Sequence, residues 1–402
     1  MKRFVFLTIA MLLAFSLQAQ DVELREDHPR EYVVQEGDTL WDIAGRFLTR
    51  PWQWPAIWHA NPQIDNPHRI YPGDVISLVF VGGEPRLTVS DAVDDSIRRL
   101  SPEVRRESIE GPITTIPFDA IESFLTRPRV VSAEEYESLP YVVANNEQRI
   151  YAGPGDRTYV RGMTDARVGA EVIIARPLHQ FEDRSKQPRR DNPLRRNIVR
   201  LNKAQVPSSV RPSGAVWKTT FGRLERFDYP IVGYELWESA RARVLKAGDP
   251  TILEIMEGGR EVGAGDVVLP LDDHIYDASF FPRAMDRVPE RARVLAVAQN
   301  RFGAGHYQII AINLGEVDGV QPGHTFSAFR PGETISDTQR YRAVYLTQSE
   351  ERDRSFVTLP DEYAGQVMVF RAFDRVSYAI VLEGSTHPIS EGDRLDHPDR
   401  RL

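Results

Sequence analysis

The sequence has no cysteine in 402 residues. This absence excludes disulfides, thiol nucleophiles, cysteine-ligated zinc and the lipidated cysteine of a bacterial lipoprotein. Histidine is also scarce, and no two of the nine histidines stand at the spacing of metal ligands on a helix or a strand. We therefore predict neither a metal site nor a cofactor.

Motifs for catalysis are missing as well. The chain has no Gly-x-Ser-x-Gly elbow, no Ser-x-x-Lys joined to a Lys-Thr-Gly, and no glycine loop that cradles phosphate before a helix. Paired carboxylates that cleave glycans stay open as an alternative, because the chain has 58 acidic residues. We predict a protein that is not an enzyme.

Long apolar runs are confined to the start of the chain. Lys2 and Arg3 precede an apolar run from Phe4 to Leu17, and small residues follow near Ala19. This pattern is typical of a secretory signal peptide, so we expect residues 1–19 to be removed and no transmembrane segment to remain. The net charge of -8, without a long basic block, argues against nucleic acid as a partner.

The strongest local pattern lies in residues 31–80. A strand is predicted at residues 32–35, and Gly37-Asp38 ends it. Thr39 and Asp42 then form an acidic variant of a capping box before a helix. The helix should bury one apolar face. That face consists of Leu40, Ile43, Ala44 and Phe47.

A second helix and a second strand complete this segment. Pro55 is acceptable in a first helical turn, and Asn61-Pro62 should end a two-turn helix. A turn at Pro72-Gly73-Asp74 leads into the strand VISL at residues 75–78. Strand, helix, helix, strand in fifty residues predicts a small α+β module with both helices on one face of the sheet.

This order, with the signatures EGDTLWDIA and IYPGDVISL, resembles the LysM domain, a module that binds peptidoglycan and chitin. One departure is the inter-helix segment TRPWQWP, which is longer than usual. The resemblance implies that N-acetylglucosamine-containing glycan lies in a shallow groove between two loops. The implied contacts are Gly37, Asp38, Thr39 and Leu40 on one side, and Asn61, Gln63, Ile64 and Ile70 on the other.

Exposed backbone and an apolar side chain suit such a ligand. An N-acetyl group offers one amide donor, one carbonyl acceptor and a methyl group. Taken singly, however, Leu40 and Ile70 fit a core role better than a ligand role. For Trp52, Trp54 and Trp58 we expect at least two to pack inside the module, because tryptophan dominates the cores of small domains.

The rest of the chain divides into two regions of different predicted structure. Residues 82–140 read as a linker with short helices, beginning with a hinge at residues 82–85. Residues 141–402 read as a mainly β, partner-binding region of small barrel-like or sandwich-like units, with an Arg- and Pro-rich insertion at 182–220. Ile252–Val268 and Tyr378–Leu395 align over their Glu-Gly and Gly-Asp pairs, which indicates a possible internal duplication.

Residues 312–330 and 359–393 carry a second resemblance. Both segments resemble the periplasmic LysM protein family associated with the type IV pilus secretin. Their sequences are INLGEVDGVQPGHTFSAFR and LPDEYAGQVMVFRAFDRVSYAIVLEGSTHPISEGD. This resemblance implies a non-catalytic protein of the periplasm, at the cell wall and near the outer membrane, that anchors a secretin ring to peptidoglycan. A hydrolase targeted by its LysM module and a wall-binding scaffold unrelated to pili are the alternatives.

Overall fold

The computed structural model describes residues 22–58, 70–90, 114–126, 128–183, 230–271, 280–298, 303–336, 356–382 and 387–400. The chain divides into two compact units, Met1–Ile113 and Thr114–Leu402. The predicted signal peptide and nearly all of the predicted insertion lie outside the described residues. Within the described ranges, no helix combines the length and the apolar composition needed to cross a membrane.

The first unit contains a three-stranded antiparallel sheet and two helices. Its elements are β1 (Glu31–Val33), α1 (Leu40–Phe47), a 3-10 turn (Pro51–Gln53), α2 (Trp54–Ile57), β2 (Val75–Val81) and β3 (Glu84–Ser90). The order β1, α1, α2, β2 is the predicted βααβ order. Strand β2 is the central strand of the sheet, between β1 and β3.

Helix α1 begins as predicted. The Asp42 amide donates to Thr39 Oγ1 at 3.1 Å, and the Thr39 amide donates to Asp42 Oδ2 at 3.2 Å, which is the reciprocal bonding of a capping box. All four residues of the predicted apolar face are buried in the core of the unit. The 3.6-residue period therefore identified the face of α1 that packs against the sheet.

Helix α2 is shorter than predicted. It runs over four residues, with Pro55 in its first turn, and a separate 3-10 turn precedes it in place of a longer helix. The two prolines of TRPWQWP explain this division, because Pro51 and Pro55 each suit the start of a helical turn and lack the amide that a continuous helix requires.

Strand β3 was not predicted. Gly82 and Gly83 have φ of 66° and 91°, which is the two-residue turn that favours a right-twisted hairpin. From this turn, β3 pairs with β2 along its whole length, from Val81↔Glu84 to Val75↔Ser90. The predicted hinge is thus a hairpin turn, and the first part of the predicted linker belongs to the sheet.

The second unit contains most of the β structure. Its helices are α3 (Phe118–Thr126) and α4 (Ala133–Ser138). The strands of its first half are β4 (Pro128–Val131), β5 (Tyr141–Asn145), β6 (Tyr151–Ala152), β7 (Arg157–Arg161), β8 (Glu171–Glu182), β9 (Ile231–Lys246), β10 (Thr251–Gly258), β11 (Val262–Gly263) and β12 (Val267–Pro270). Those of its second half are β13 (Val294–Val297), β14 (Ile309–Ile312), β15 (Thr325–Arg330), β16 (Thr334–Ser336), β17 (Phe356–Thr358), β18 (Glu362–Ala372), β19 (Ser377–Val381) and β20 (Arg394–Asp396).

The first half forms a small barrel. The strand order is β10-β7-β5-β12-β8-β9-β4, and an additional pairing between β10 and β9 closes the sheet. Strand β4 lies outside the closed ring, on the edge of β9. The interior is filled by aliphatic side chains, including Val160, Ile174 and Leu253. A barrel of this kind leaves no open edge within the ring.

The second half repeats this arrangement. Its order is β13-β14-β19-β18-β15-β20, and the bridge between Arg293 and Arg394 brings the end strands β13 and β20 together. The six strands of each ring have the same neighbours when they are matched in chain order. The matched pairs are β5 and β13, β7 and β14, β8 and β15, β9 and β18, β10 and β19, and β12 and β20. The two segments aligned from sequence occupy equivalent places, which supports a duplication.

A shared arginine strengthens the equivalence. Arg176, at the end of the barrel part of β8, donates to the Glu261 carbonyl at 2.7 Å, five residues before Asp266. Arg330, at the end of β15, donates to the Pro388 carbonyl at 3.3 Å, five residues before Asp393. The same side chain thus fastens the same loop in both barrels.

Strands β8 and β9 extend beyond the first barrel and join the halves of this unit. Glu235 on β9 accepts a hydrogen bond of 2.7 Å from the hydroxyl of Tyr378 on β19. The ring of Tyr378 contacts Phe124, Phe181 and Phe373 edge-on. Both the hydrogen-bonded pair and the aromatic cluster are buried, so the two barrels share part of one core.

Candidate functional site

Two turns of the same construction lie side by side in the first unit. In the first, Gly37 has φ of 88° and the Asp38 carboxylate accepts from the Gln35 amide at 2.8 Å. In the second, Gly73 has φ of 99° and the carboxylate of Asp74 accepts from the Tyr71 amide at 2.9 Å. An L side chain rarely adopts such a φ, so glycine fits both turns.

Val34 links the two turns. Its amide donates to the Asp74 carbonyl at 2.9 Å, and its carbonyl accepts from the Gly73 amide at 2.8 Å. The strand–helix loop and the loop before β2, which the resemblance named as the two sides of a groove, are therefore joined at their base. A ligand that spans both loops would meet a fixed surface formed by the Gly37 and Gly73 turns, which we call the rim.

The four residues predicted on the strand–helix side of the groove differ in how exposed they are. Gly37 is exposed and Asp38 is half-buried, whereas Thr39 and Leu40 are each 3% exposed. Thr39 caps α1, and Leu40 packs in the core with Ile43 and Phe47. The turn itself, rather than these two side chains, forms the accessible surface on this side.

Asp38 also fixes an aromatic ring. Its Oδ2 accepts from the hydroxyl of Tyr32 at 2.8 Å, and the guanidinium of Arg46 lies 4.5 Å from the centre of the Tyr32 ring. Burial, and then the hydrogen bond to Asp38, raise the pKa of Tyr32. Tyr32 therefore stays protonated and serves as a neutral donor.

On the second side, the structure describes only Ile70 of the four predicted residues. Ile70 is fully buried in the core of the unit. Asn61, Gln63 and Ile64 lie outside the described residues. The assignment of these residues to glycan contact stays a prediction.

Tyr71 was missed by the sequence analysis. It is 44% exposed at the second turn, beside the predicted groove, and its backbone is fixed by Asp74. An exposed aromatic ring on a fixed turn is suited to stacking on a sugar face. The signal was present in IYPGD, where an aromatic residue stands directly before the turn proline.

The tryptophans of the inter-helix segment mainly pack, as predicted. Trp52 and Trp54 are buried, and Trp58 is half-buried, with its ring edge-on to Trp54 at a centroid distance of 6.1 Å. No group of three or more acidic or histidine side chains able to hold a metal ion occurs among the residues that the structure describes.

The three-stranded sheet, its two helices and the paired glycine turns form one small module. Residues 32–79 match the LysM domain family, so the chain contains a LysM domain. LysM domains bind the N-acetylglucosamine strands of peptidoglycan. The match ends within β2, so β3 lies beyond it.

One curated protein shares a short stretch of sequence with this chain. A stretch of 60 residues is 37% identical to the uncharacterised protein YqbP of Bacillus subtilis (strain 168), and it covers 12% of this chain and 27% of that protein. The chain thus spans about a quarter of the length of this relative, and the similarity does not extend to the whole protein.

Proposed function

We propose that this protein is a non-catalytic anchor that binds peptidoglycan through its LysM domain and holds a partner through its barrels. The observation that carries the proposal is the LysM match at residues 32–79, together with the two turns that Val34 joins into one rim. The rim needs no metal and no ionised ligand, because an N-acetyl group is recognised by backbone hydrogen bonds and an apolar or aromatic contact.

Tyr71 supplies the aromatic contact in this proposal. Its ring lies at the turn and is exposed, whereas Leu40 and Ile70 are buried and support the turns from below. The glycan would lie across the Gly37 and Gly73 turns, with one face of a sugar against the ring of Tyr71. The predicted contacts from Asn61, Gln63 and Ile64 would form the remaining wall.

The partner that we propose is an outer-membrane secretin ring of a type IV pilus. The support is the resemblance in residues 312–330 and 359–393, which contain β15, β18 and β19 of the second barrel. The protein would then act in the periplasm, where cell wall and outer membrane lie close together. Attachment to the wall would resist the forces of pilus extension and retraction.

The wall-binding part of the proposal is tested by sedimentation with purified sacculi. The full chain is compared with a variant that lacks residues 22–90, and with Tyr71→Ala and Tyr71→Phe. We expect the deletion to abolish binding, Tyr71→Ala to weaken it about three- to tenfold through lost stacking, and Tyr71→Phe to retain it. Undiminished binding after the deletion would place the wall-binding site elsewhere.

The same samples separate the alternatives. Release of soluble muropeptides by the intact chain would show a hydrolase in place of a passive anchor. For the partner, purified secretin is mixed with the full chain and with the variant lacking residues 22–90. We expect both to bind secretin; if neither binds, the general wall-binding scaffold becomes the better description.

A further inference from the structure

The hairpin of β8 and β9 extends beyond the first barrel and lies against the second. Its two strands stay paired as far as Glu182↔Ile231. Phe181, near this end, is buried, and its ring lies edge-on to the ring of Tyr378 on β19 at a centroid distance of 6.4 Å. Strand β8 also contacts β13. We call this extension, residues 177–182 and 231–236, the first ribbon.

The corresponding hairpin of the second barrel has an extension of the same length. Strands β15 and β18 continue into β16 and β17 without a change of register. The pairing ends six residues after Arg330, at Ser336. In the first ribbon it ends six residues after the equivalent Arg176, at Glu182. We call β16 together with β17 the second ribbon.

The second ribbon has an exposed apolar face. Ile335 is the last residue but one of β16, as Phe181 is of β8, yet Ile335 is 45% exposed. Its cross-strand partner Val357 and, two residues further along the same face, Leu359 are exposed as well. A two-stranded ribbon alone is marginally stable in water, and contiguous exposed apolar side chains mark a contact surface.

The first ribbon lies over a row of three side chains on the outside of the second barrel. The row crosses three neighbouring strands and consists of Leu295 on β13, Ala311 on β14 and Tyr378 on β19. All three are buried, yet none belongs to the cluster that fills the inside of this barrel. They are covered from the outer side, where the first ribbon lies together with Phe124 of α3.

The first barrel carries a matching residue at the start of this row. The Val142 amide donates to the carbonyl of Asp266 at 2.8 Å, and the Val294 amide donates to the carbonyl of the equivalent aspartate at 2.9 Å. The residues that follow, Val143 and Leu295, are therefore equivalent. Each lies at an irregularity in the pairing of its strand with the next one, where a β-bulge can turn a side chain outward.

Two further residues complete the row on the first barrel. Tyr159 on β7 pairs with Ile252 on β10, as Ala311 pairs with Tyr378 in the second barrel. Tyr159 and Ile252 are half-buried and Val143 is 37% exposed, and none of the three belongs to the interior cluster. The first barrel thus has the same apolar row as the second, but its row is accessible.

We propose that the second ribbon of one copy packs on the apolar row of the first barrel of another copy. This would repeat between molecules the contact that the first ribbon makes within the chain. The ribbon and the row are the two halves of one duplicated interface, and both are accessible in the single chain. Because the contact joins two different surfaces, it can repeat from copy to copy and build a ring or a filament. The proposal does not depend on glycan binding.

Sedimentation velocity of the full chain, from about 1 to 100 μM, tests the proposal with variants of both surfaces. We expect the wild type to form dimers and larger species in this range. Ile335→Asp and Val143→Asp should each weaken association at least about tenfold, because a carboxylate would enter an apolar contact. Val168→Asp is the matched control, because Val168 is a 69% exposed residue of the first barrel outside the row, and it should associate like the wild type.

A mixture of the two aspartate variants is a sharper test. Val143→Asp keeps an intact second ribbon and Ile335→Asp keeps an intact row, so one working contact remains in the mixture. We expect 1:1 dimers and no larger species. Such dimers also show that each variant is folded at the surface that it retains.

Cross-linking gives a readout without charged substitutions. The chain has no cysteine, so Ile335→Cys and Ile252→Cys each introduce a single thiol. These positions match Phe181 and Tyr378, whose rings meet in the contact within the chain. A short bismaleimide should join a mixture of the two variants into a heterodimer, and it should not join Ile335→Cys to Val168→Cys.

The outcomes are decided in order. A wild type that stays monomeric at about 100 μM and a cysteine pair that gives no heterodimer overturn the proposal. Association that survives both aspartate substitutions overturns it as well, since the contact would then lie elsewhere. If the mixed aspartate variants stay monomeric, the cysteine pair decides: a heterodimer upholds the contact, and its absence refutes it.

Discussion

Two equivalent aspartates show how one residue type acquires different properties in the two barrels. Asp266 forms two hydrogen bonds with Arg176, at 2.8 and 2.9 Å. Asp393 is only 3% exposed and bonds to the Ser390 amide at 2.7 Å, while the equivalent Arg330 donates to the Pro388 carbonyl. Burial raises the pKa of Asp393 to about 6, against the opposing effects of the Ser390 amide and Arg330.

This difference predicts opposite effects of the same substitution. Because the folded-state pKa of Asp393 lies above its usual value, ionisation destabilises the fold, and the destabilisation grows as pH rises from about 4 to about 6. Asp393→Asn should therefore stabilise the protein by about 1–3 kcal/mol at pH 8 and by little at pH 4. Asp266→Asn should destabilise by about 1–3 kcal/mol at pH 8, because it breaks a partly exposed ion pair.

Urea denaturation of both variants and the wild type, at pH 4 and pH 8, checks this prediction. The two substitutions remove the same charge at matched positions, so a general effect of net charge gives both the same sign. A loss of stability at pH 8 in Asp393→Asn, similar to that in Asp266→Asn, would contradict the prediction.

Leu40 illustrates what sequence cannot decide at the residue scale. The helical period identified it as apolar and inward, and the LysM resemblance identified it as a glycan contact. Both roles favour leucine, so only the structure, in which Leu40 is 3% exposed, shows how little of the side chain a ligand could reach. Tyr71 is the converse case, since exposure on a turn leaves no periodic signal.

The burial of Leu40 makes its substitution a test of stability. Leu40→Ala should lower the free energy of unfolding of the first unit by about 2–5 kcal/mol, because it opens a cavity in the core of the unit. Tryptophan fluorescence during urea denaturation measures this, since four of the six tryptophans lie in the first unit. Tyr71→Ala serves as the control and should change stability by less than about 0.5 kcal/mol.

At the scale of elements, individual strands were predictable and their closure into barrels was not. Strands such as β10 and β19 were evident from β-branched runs between glycines and prolines. Closure depends on β10 pairing on one side with β9, its neighbour in sequence, and on the other side with β7, which lies far from it in sequence. Strand β3 was missed because Gly-Gly followed by Glu-Pro fits a hinge and a hairpin equally well.

Strand β9 carries the link between the barrels, and its hydrogen bond to β19 gives a prediction. Tyr378→Phe removes the hydroxyl that donates to buried Glu235 at 2.7 Å and keeps the ring in place. We expect it to lower the free energy of unfolding of the second unit by about 1–3 kcal/mol, because a buried carboxylate loses a donor. Differential scanning calorimetry and urea denaturation measure this loss.

Tyr159→Phe in the first barrel is the matched control for Tyr378→Phe. Tyr159 lies on β7 and its hydroxyl has no hydrogen bond to the other residues that the structure describes. Its substitution should change stability by less than about 0.5 kcal/mol. Equal effects of the two substitutions would show that the bond between Tyr378 and Glu235 contributes little to joining the barrels.

At the scale of the whole molecule, the number of LysM domains determines how the proposed anchor would work. The LysM match covers one segment of the chain, residues 32–79. A single shallow groove binds a glycan weakly, but copies held by an oligomeric partner bind the same wall together. Once one copy is bound, each further contact is intramolecular, so retention can rise by about 10²–10⁴-fold without any new interaction.

We expect a monomer and an array of copies to differ strongly in their rate of dissociation from sacculi and little in their affinity for soluble glycan fragments. The full chain, biotinylated at its C-terminus, is measured alone and on tetravalent streptavidin. We expect the tetramer to dissociate from sacculi at least about 100-fold more slowly than the monomer, and to bind a short chito-oligosaccharide with the same affinity per site. The tetramer of the variant lacking residues 22–90 should not be retained. A monomer that stays on sacculi as long as the tetramer would show that one copy suffices, and the partner would then be unnecessary for holding the wall.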